Sequence, residues 1–254
     1  MSALLTVLPD LPDMHVAAGH IGDLASALPA AGKGRWMENR DLTEKLWPAT
    51  LETFAMTGVS GILTIALGLP LGLALITTGP RGQHRNRIVY EIVSQIVNIG
   101  RSMPFIILMV AIMSLTRFLV GSSIGWQAAC VPLTIGAIPF YARLVETAIN
   151  DVDQGKVEAA LMMGASGAQI TWGVLVREAL PTLIQSATVT IITLIGYSAM
   201  AGTVGGGGLG DMAIQYGYKG NESDVMIVTV VLIVIVVGII QVCGDMLSRL
   251  VDHR

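Results

Sequence analysis

Apolar residues in this chain fall into long runs separated by short polar, basic or glycine-rich segments. Five runs, over about 54–77, 101–119, 126–149, 183–204 and 225–244, come to the roughly 20 residues that a helix needs to cross ~30 Å of hydrocarbon. The segments between them have patterns of their own. Over 88–99 an apolar background carries Glu91, Ser94, Gln95 and Asn98 about one turn apart, which predicts an amphipathic helix, interfacial or facing the protein interior. In the first run Gly68 and Gly72 form a small-xxx-small pair that lets another helix approach closely, and Pro70 between them predicts a kink. Pro132 and Pro139 interrupt the third run in the same way.

Residues 151–181 lie between two apolar runs and predict a polar helix-turn-helix elbow beside the membrane. Its first helix covers about 156–163, with Val157, Ala160 and Leu161 on one face. Gly164 is placed to end it in the left-handed conformation. Ser166 and Gln169 have capping-box spacing, so a second helix opens there, runs through Ile170, Val174 and Leu175, and is expected to stop at Pro181. From spacing alone this is equally a plain connector or a compact knob for a partner. Residues 1–47 differ from all of this. They mix Pro9, Pro12, Pro29, glycines and both signs of charge, with no run apolar enough to span and no basic stretch before an apolar core, and they are expected to form a disordered or weakly helical polar extension. A chain starting at Met37 would have only a short tail.

Composition sharpens the class. The chain is 53% hydrophobic and 13% charged, with mean hydropathy +0.68, against about 25% charged residues in soluble domains. It therefore reads as an all-α integral membrane protein: 1–47 an extension, 48–254 a membrane domain of about five spans. The net charge of −3 says little, since the sign matters loop by loop. Cys130 and Cys243 lie far apart in apolar runs and read as small hydrophobes. The turn after the first run carries Arg81, Arg85 and Arg87 and is cytoplasmic by the positive-inside rule, but Lys33, Arg35, Arg40 and Lys45 on the other side leave that rule ambiguous. Arg101 either snorkels to the interface or forms an ion pair beside the path of a transported molecule.

Catalytic motifs are few. The run 205–210 contains G-x-G-x-x-G, but it follows an apolar run instead of a strand, so a flexible external hinge is expected there and not a dinucleotide site. No G-x-x-x-x-G-K-[ST] occurs, and His15, His20, His84 and His253 include no H-E-x-x-H. No cofactor, metal or nucleic acid is expected on this chain. A membrane-embedded enzyme would need titratable residues within the spans, which offer almost none.

Glu158-Ala159-Ala160, three further residues and Gly164-Ala165 resemble the EAA loop of permease subunits of ATP-binding-cassette (ABC) importers. One departure is that the loop's Leu-Pro, about twelve residues past the glycine, is here Val176-Arg177, with Leu180-Pro181 following later. Arg101-Ser102-Met103-Pro104-Phe105-Ile106, Gly196-Tyr197-Ser198-Ala199-Met200 and Gln215-Tyr216-Gly217-Tyr218 are similar to the permease of the methionine importer family, a resemblance running from about Leu51 to the end. It implies a type I ABC importer permease-like fold in the bacterial cytoplasmic (inner) membrane, with the N-terminus outside and the C-terminus inside. The implied assembly is a homodimer of this chain, two cytoplasmic ATPase subunits that carry ATP and Mg, and an external substrate-binding protein. Glu158, Ala159, Ala160, Gly164 and Ala165 would couple to the ATPase, and Tyr197, Ser198 and Met200 would line the path for L- or D-methionine. Another amino acid or a short peptide as cargo, and a scaffold or channel without an ATPase, remain as alternatives.

Overall fold

The computed structural model describes residues 40–80, 82 and 85–252, all helix and connection with no strand among them. The helices are α1 (Arg40–Thr78), α2 (Arg87–Ser102), α3 (Phe105–Ala111), α4 (Met113–Val120), α5 (Trp126–Asn150), α6 (Gln154–Met162), α7 (Gly167–Ile170), α8 (Val176–Gly202), α9 (Gly208–Met212) and α10 (Ser223–Val251). Wider π-helical turns, Thr171–Leu175 and Ala213–Lys219, join α7 to α8 and extend α9. Among the described residues, four stretches are long and apolar enough to cross a membrane: Glu44–Thr78, Trp126–Asn150, Gly167–Gly202 and Ser223–Val251. The pair α2 and α3, bent by 103°, is long and apolar enough only when taken together, as a broken span or a re-entrant loop.

Three expectations change. The extension expected over 1–47 lies outside the described residues up to position 39, as do Met37, His15 and His20. Its boundary at residue 47 falls inside α1, which is helical from Arg40. At 39 residues α1 is roughly 58 Å long, so its first turns project beyond the hydrocarbon. Tertiary contacts order them: Leu42 and Ala49 are buried with Leu209, Met212 and Val225, and the Lys45 ammonium sits 4.0 Å from the centroid of the Tyr216 ring.

The second span, expected over 101–119, begins later. Arg101 and Ser102 end the amphipathic α2, whose protein side is Tyr90, Val93, Val97 and Gly100, while Ile88, Ile92, Ile96 and Ile99 are exposed. Pro104 starts a new direction. The remainder, α3 and α4, covers residues 105–120 and reaches only about 24 Å. Finally, Pro181 does not stop the elbow's second helix. Helical backbone continues from Gly167 to Gly202 with Pro181 inside it: an interior proline costs one internal bond and a clash with the carbonyl four residues back, and burial of Ala179 and Leu183 on either side offsets that cost.

The packing centre is α5, whose buried face touches α1, α2 and α8. Small residues on α1 make the closest approach possible. A Cβ at Gly68 would lie 2.9 Å from Tyr141, and one at Gly72 would lie 2.6 Å from Val145, as the small-xxx-small spacing predicts. Higher in the same seam the Ser60 hydroxyl donates to the Cys130 carbonyl at 3.3 Å. α8 packs between α5 and α10, and α10 meets it through Gly244, where a Cβ would fall 2.1 Å from the Thr188 hydroxyl. The rest of α10 is mostly exposed valine and isoleucine, a face suited to lipid.

Candidate functional site

The elbow is built from local signals that the structure satisfies one by one. Asp153 caps α6 by accepting from the Gly155 amide at 2.9 Å. α6 ends in a Schellman turn: Ala165 N–H donates to the Ala160 carbonyl at 3.1 Å, and Gly164 N–H to the Leu161 carbonyl at 2.9 Å. Gly164 has φ +79°, the left-handed region expected for it. The capping box also forms, with Ser166 N–H donating to Gln169 Oε1 at 2.8 Å and Gln169 N–H to Ser166 Oγ at 3.4 Å. An ion pair between Lys156 and Glu178 ties α6 to the start of α8.

The five residues expected to couple do not share one role. Ala160 is buried among Val152, Ile170 and Leu175, and the half-buried Ala165 packs on the same cluster, so both hold the elbow together. Glu158, Ala159 and Gly164 are exposed. Among the described residues, a Cβ at Gly164 would meet no atom within 4 Å. What residue-by-residue reading missed is the apolar tip: Met162 and Met163 are 90% and 82% exposed, with Leu161 beside them. Two successive methionines outside any span were the available signal, since flexible thioethers suit adaptable contact surfaces. Glu158 and Leu161 also line a groove of ≈ 810 Å³ shared with Gly79, Pro80, Tyr90 and Glu146. Glu146 is buried there, ion-paired with Arg143 and accepting from the Tyr90 hydroxyl at 3.5 Å.

Tyr197, Ser198 and Met200 point three ways. The Tyr197 ring stacks on Phe105 of α3, centroids 4.5 Å apart and planes within 2°. Ser198 is buried, its hydroxyl donating to the Ile195 carbonyl at 2.8 Å, which removes it from any surface of this chain that a passing molecule could touch. Met200 alone is exposed, at 46%. Successive helix positions are 100° apart, so neighbours in sequence cannot share a face. The face that contains Met200 is instead Thr182, Gln185, Val189, Thr193, Gly196 and Thr203, a solvent-accessible stripe along α8.

The run 205–210 is a packed corner, not a flexible hinge. A Cβ at Gly210 would come 2.3 Å from Ala199 Cα, and one at Gly202 would come 2.2 Å from the Asp211 nitrogen. Gly208, at φ +80°, would place a Cβ 2.6 Å from Met56. Two α1 side chains hold the start of α9: Glu52 Oε2 accepts from Gly208 N–H and Thr53 Oγ1 from Leu209 N–H, each at 2.8 Å. Burial raises the pKa of the neighbouring Asp211; a hydrogen bond from Gln215 opposes this and the Glu52 charge adds to it. Neither Glu52 nor Thr53 carries a sequence signal, because each contact joins residues 156 positions apart.

The sequence matches the family described as "Binding-protein-dependent transport system inner membrane component" over residues 53–254. A "Probable D-methionine transport system permease protein MetI" from Vibrio cholerae is 53% identical over 216 residues, covering 85% of this chain and 95% of the relative. The "Methionine import system permease protein MetP" of Bacillus subtilis is 46% identical over 220 residues, 87% and 99% of the two chains. A solved structure of the MetNI methionine ABC transporter in inward-facing conformations aligns with TM-score 0.82 at 50% identity, covering 84% of this chain and 99% of that one. An amino acid ABC transporter crystallised with histidines shares the fold at TM-score 0.67 and 16% identity.

Proposed function

This chain belongs to the family of binding-protein-dependent transport system inner membrane components, and on that premise we propose that it is the methionine permease subunit of an ABC importer. The observation that carries the reading is the elbow. It is a rigid, doubly capped turn that offers exposed methionines from a chain 53% identical to a methionine permease.

On this reading the chain takes part in a larger assembly. Two copies enclose a path, and two ATPase subunits hold ATP and Mg and receive the elbows. An external binding protein supplies L- or D-methionine. The N-terminus faces out and the C-terminus faces the cytoplasm, which puts α6 beside the ATPase. From Gly167 to Gly202 the backbone is one helical column, braced to α6 by Lys156–Glu178. ATPase closure that displaces the elbow therefore displaces the Met200 stripe, and access alternates between the two sides. The apolar and hydroxylated stripe suits a thioether side chain, with Met200 as its narrowest flexible element.

Reconstitution with the ATPase and binding protein tests the reading. ATP-driven uptake of radiolabelled methionine should be competed by unlabelled methionine and not by histidine, arginine or a short peptide. Single cysteines, in a background lacking Cys130 and Cys243, should be labelled from outside at Ser122 and Asn221 and protected at Ser166. Gln83, a second protected position, lies outside the described residues. Competition by another class of solute would reassign the cargo, and the reverse labelling pattern would invert the chain.

A further inference from the structure

A second cavity, ≈ 480 Å³, opens where the elbow meets α8 and the end of α10. Its size lies within the roughly 300–1,000 Å³ typical of small-molecule sites. Lys156 comes from α6, Val174 from the π turn, Arg177, Glu178, Pro181, Thr182 and Gln185 from α8, and Ser248, Val251 and Asp252 from α10. Its walls are fixed: the Lys156–Glu178 pair closes one side, and the Ser248 hydroxyl donates to the Pro181 carbonyl at 3.1 Å, anchoring α10. Thr182 and Gln185 also form the cytoplasmic end of the exposed α8 stripe, so the cavity continues the surface that Met200 occupies further along.

The lining is chemically mixed in a way the stripe is not. The stripe above it is uncharged, whereas the cavity holds two cations and two carboxylates next to Val174, Pro181 and Val251. Among the described residues the Arg177 guanidinium makes no hydrogen bond or ion pair. A planar fork of donors beside an amide and an aliphatic wall matches an α-amino-acid zwitterion. We propose that this cavity is the release site of the importer, where the carboxylate of the departing amino acid is held by Arg177. Gln185 then meets the ammonium group, and the Val174–Val251 wall meets the side chain. The guanidinium draws the substrate out of an uncharged path, and its exposure lets water take over the carboxylate. The proposal rests on the reading of α8 as the path helix of an amino-acid importer.

The test uses the whole transporter, two copies of this chain with the ATPase subunits, in nanodiscs, with a methionine analogue that carries a side-chain diazirine. Illumination and peptide mapping should place label at Val174 or Val251. Methionine should displace it, and methioninol, which lacks the carboxylate, should not. Arg177→Gln should lower this labelling about tenfold, the scale of one charge-assisted hydrogen bond. Arg177→Lys should keep more of it, and ATPase co-purification should stay at the parent level in both. Label confined to Val189, Gly196 and Met200 overturns the release site and leaves the path reading intact. Labelling unchanged by Arg177→Gln, or equal displacement by methioninol, overturns the role of Arg177. Label at neither cavity nor stripe, in a transporter that imports methionine, removes the path reading as well.

Discussion

Replacing Gly164 separates two effects that a docking elbow combines. The residue sits at φ +79°, where a non-glycine residue costs about 1–2 kcal/mol and a β-branched one more. No atom of the described residues lies within 4 Å of a Cβ built there, so backbone strain is the intramolecular penalty within them. Gly164→Val should therefore leave the membrane domain folded while loosening the Schellman turn by about 2 kcal/mol. Asparagine tolerates the left-handed region, so Gly164→Asn should cost the fold less than about 1 kcal/mol while still placing a side chain at the tip. If the tip enters an ATPase cleft, both variants should insert normally, lose ATPase co-purification and fail to import. If strain alone matters, Gly164→Asn should assemble and transport near the parent level while Gly164→Val does not. The assay is affinity purification of the complex from membranes, with uptake in vesicles from the same preparation. Normal assembly and transport by Gly164→Val would refute the docking role given to this turn.

Three further outcomes follow from the same geometry. Met162→Ser with Met163→Ser should weaken ATPase binding by about 2–4 kcal/mol, since burying each thioether is worth up to roughly 1.5–3 kcal/mol; titrating ATPase onto the permease in nanodiscs measures it. Glu52→Ala leaves the Gly208 amide without its acceptor and should cost about 1–3 kcal/mol, and Gly208→Ala adds strain and a clash with Met56. Both should lower the melting temperature in detergent, and an unchanged value would restore the flexible-hinge reading of the glycine run. Met200→Ala should raise leak or broaden competition in uptake assays with protein abundance unchanged, whereas Ser198→Ala, at a buried position, should alter stability and not selectivity.

The features that one short window encodes were legible without coordinates. Ser166 with Gln169, and Gly164, act on backbone groups within five residues, so their chemistry dictates caps and turns wherever the segment is placed; the Asp153 cap is of the same local kind but emerged only with the structure. The glycines of α1 announced a close contact because only a missing side chain permits one, although they could not name Tyr141 and Val145 as its other half. Tertiary structure decided the rest. The first turns of α1 look like a polar tail until Leu42 and Lys45 find Leu209 and Tyr216. The glycine run looks flexible until Ala199, Met56 and Glu52 close around it. Pro181 should end a helix by its own chemistry, yet burial of Ala179 and Leu183 beside it carries the column through. Ser198 and Met200 are two residues apart, and only the direction in which α8 presents its face to α5 buries one and exposes the other. Local sequence sets which backbone conformations are cheap; which faces meet depends on partners far along the chain, and no window of neighbouring residues contains them.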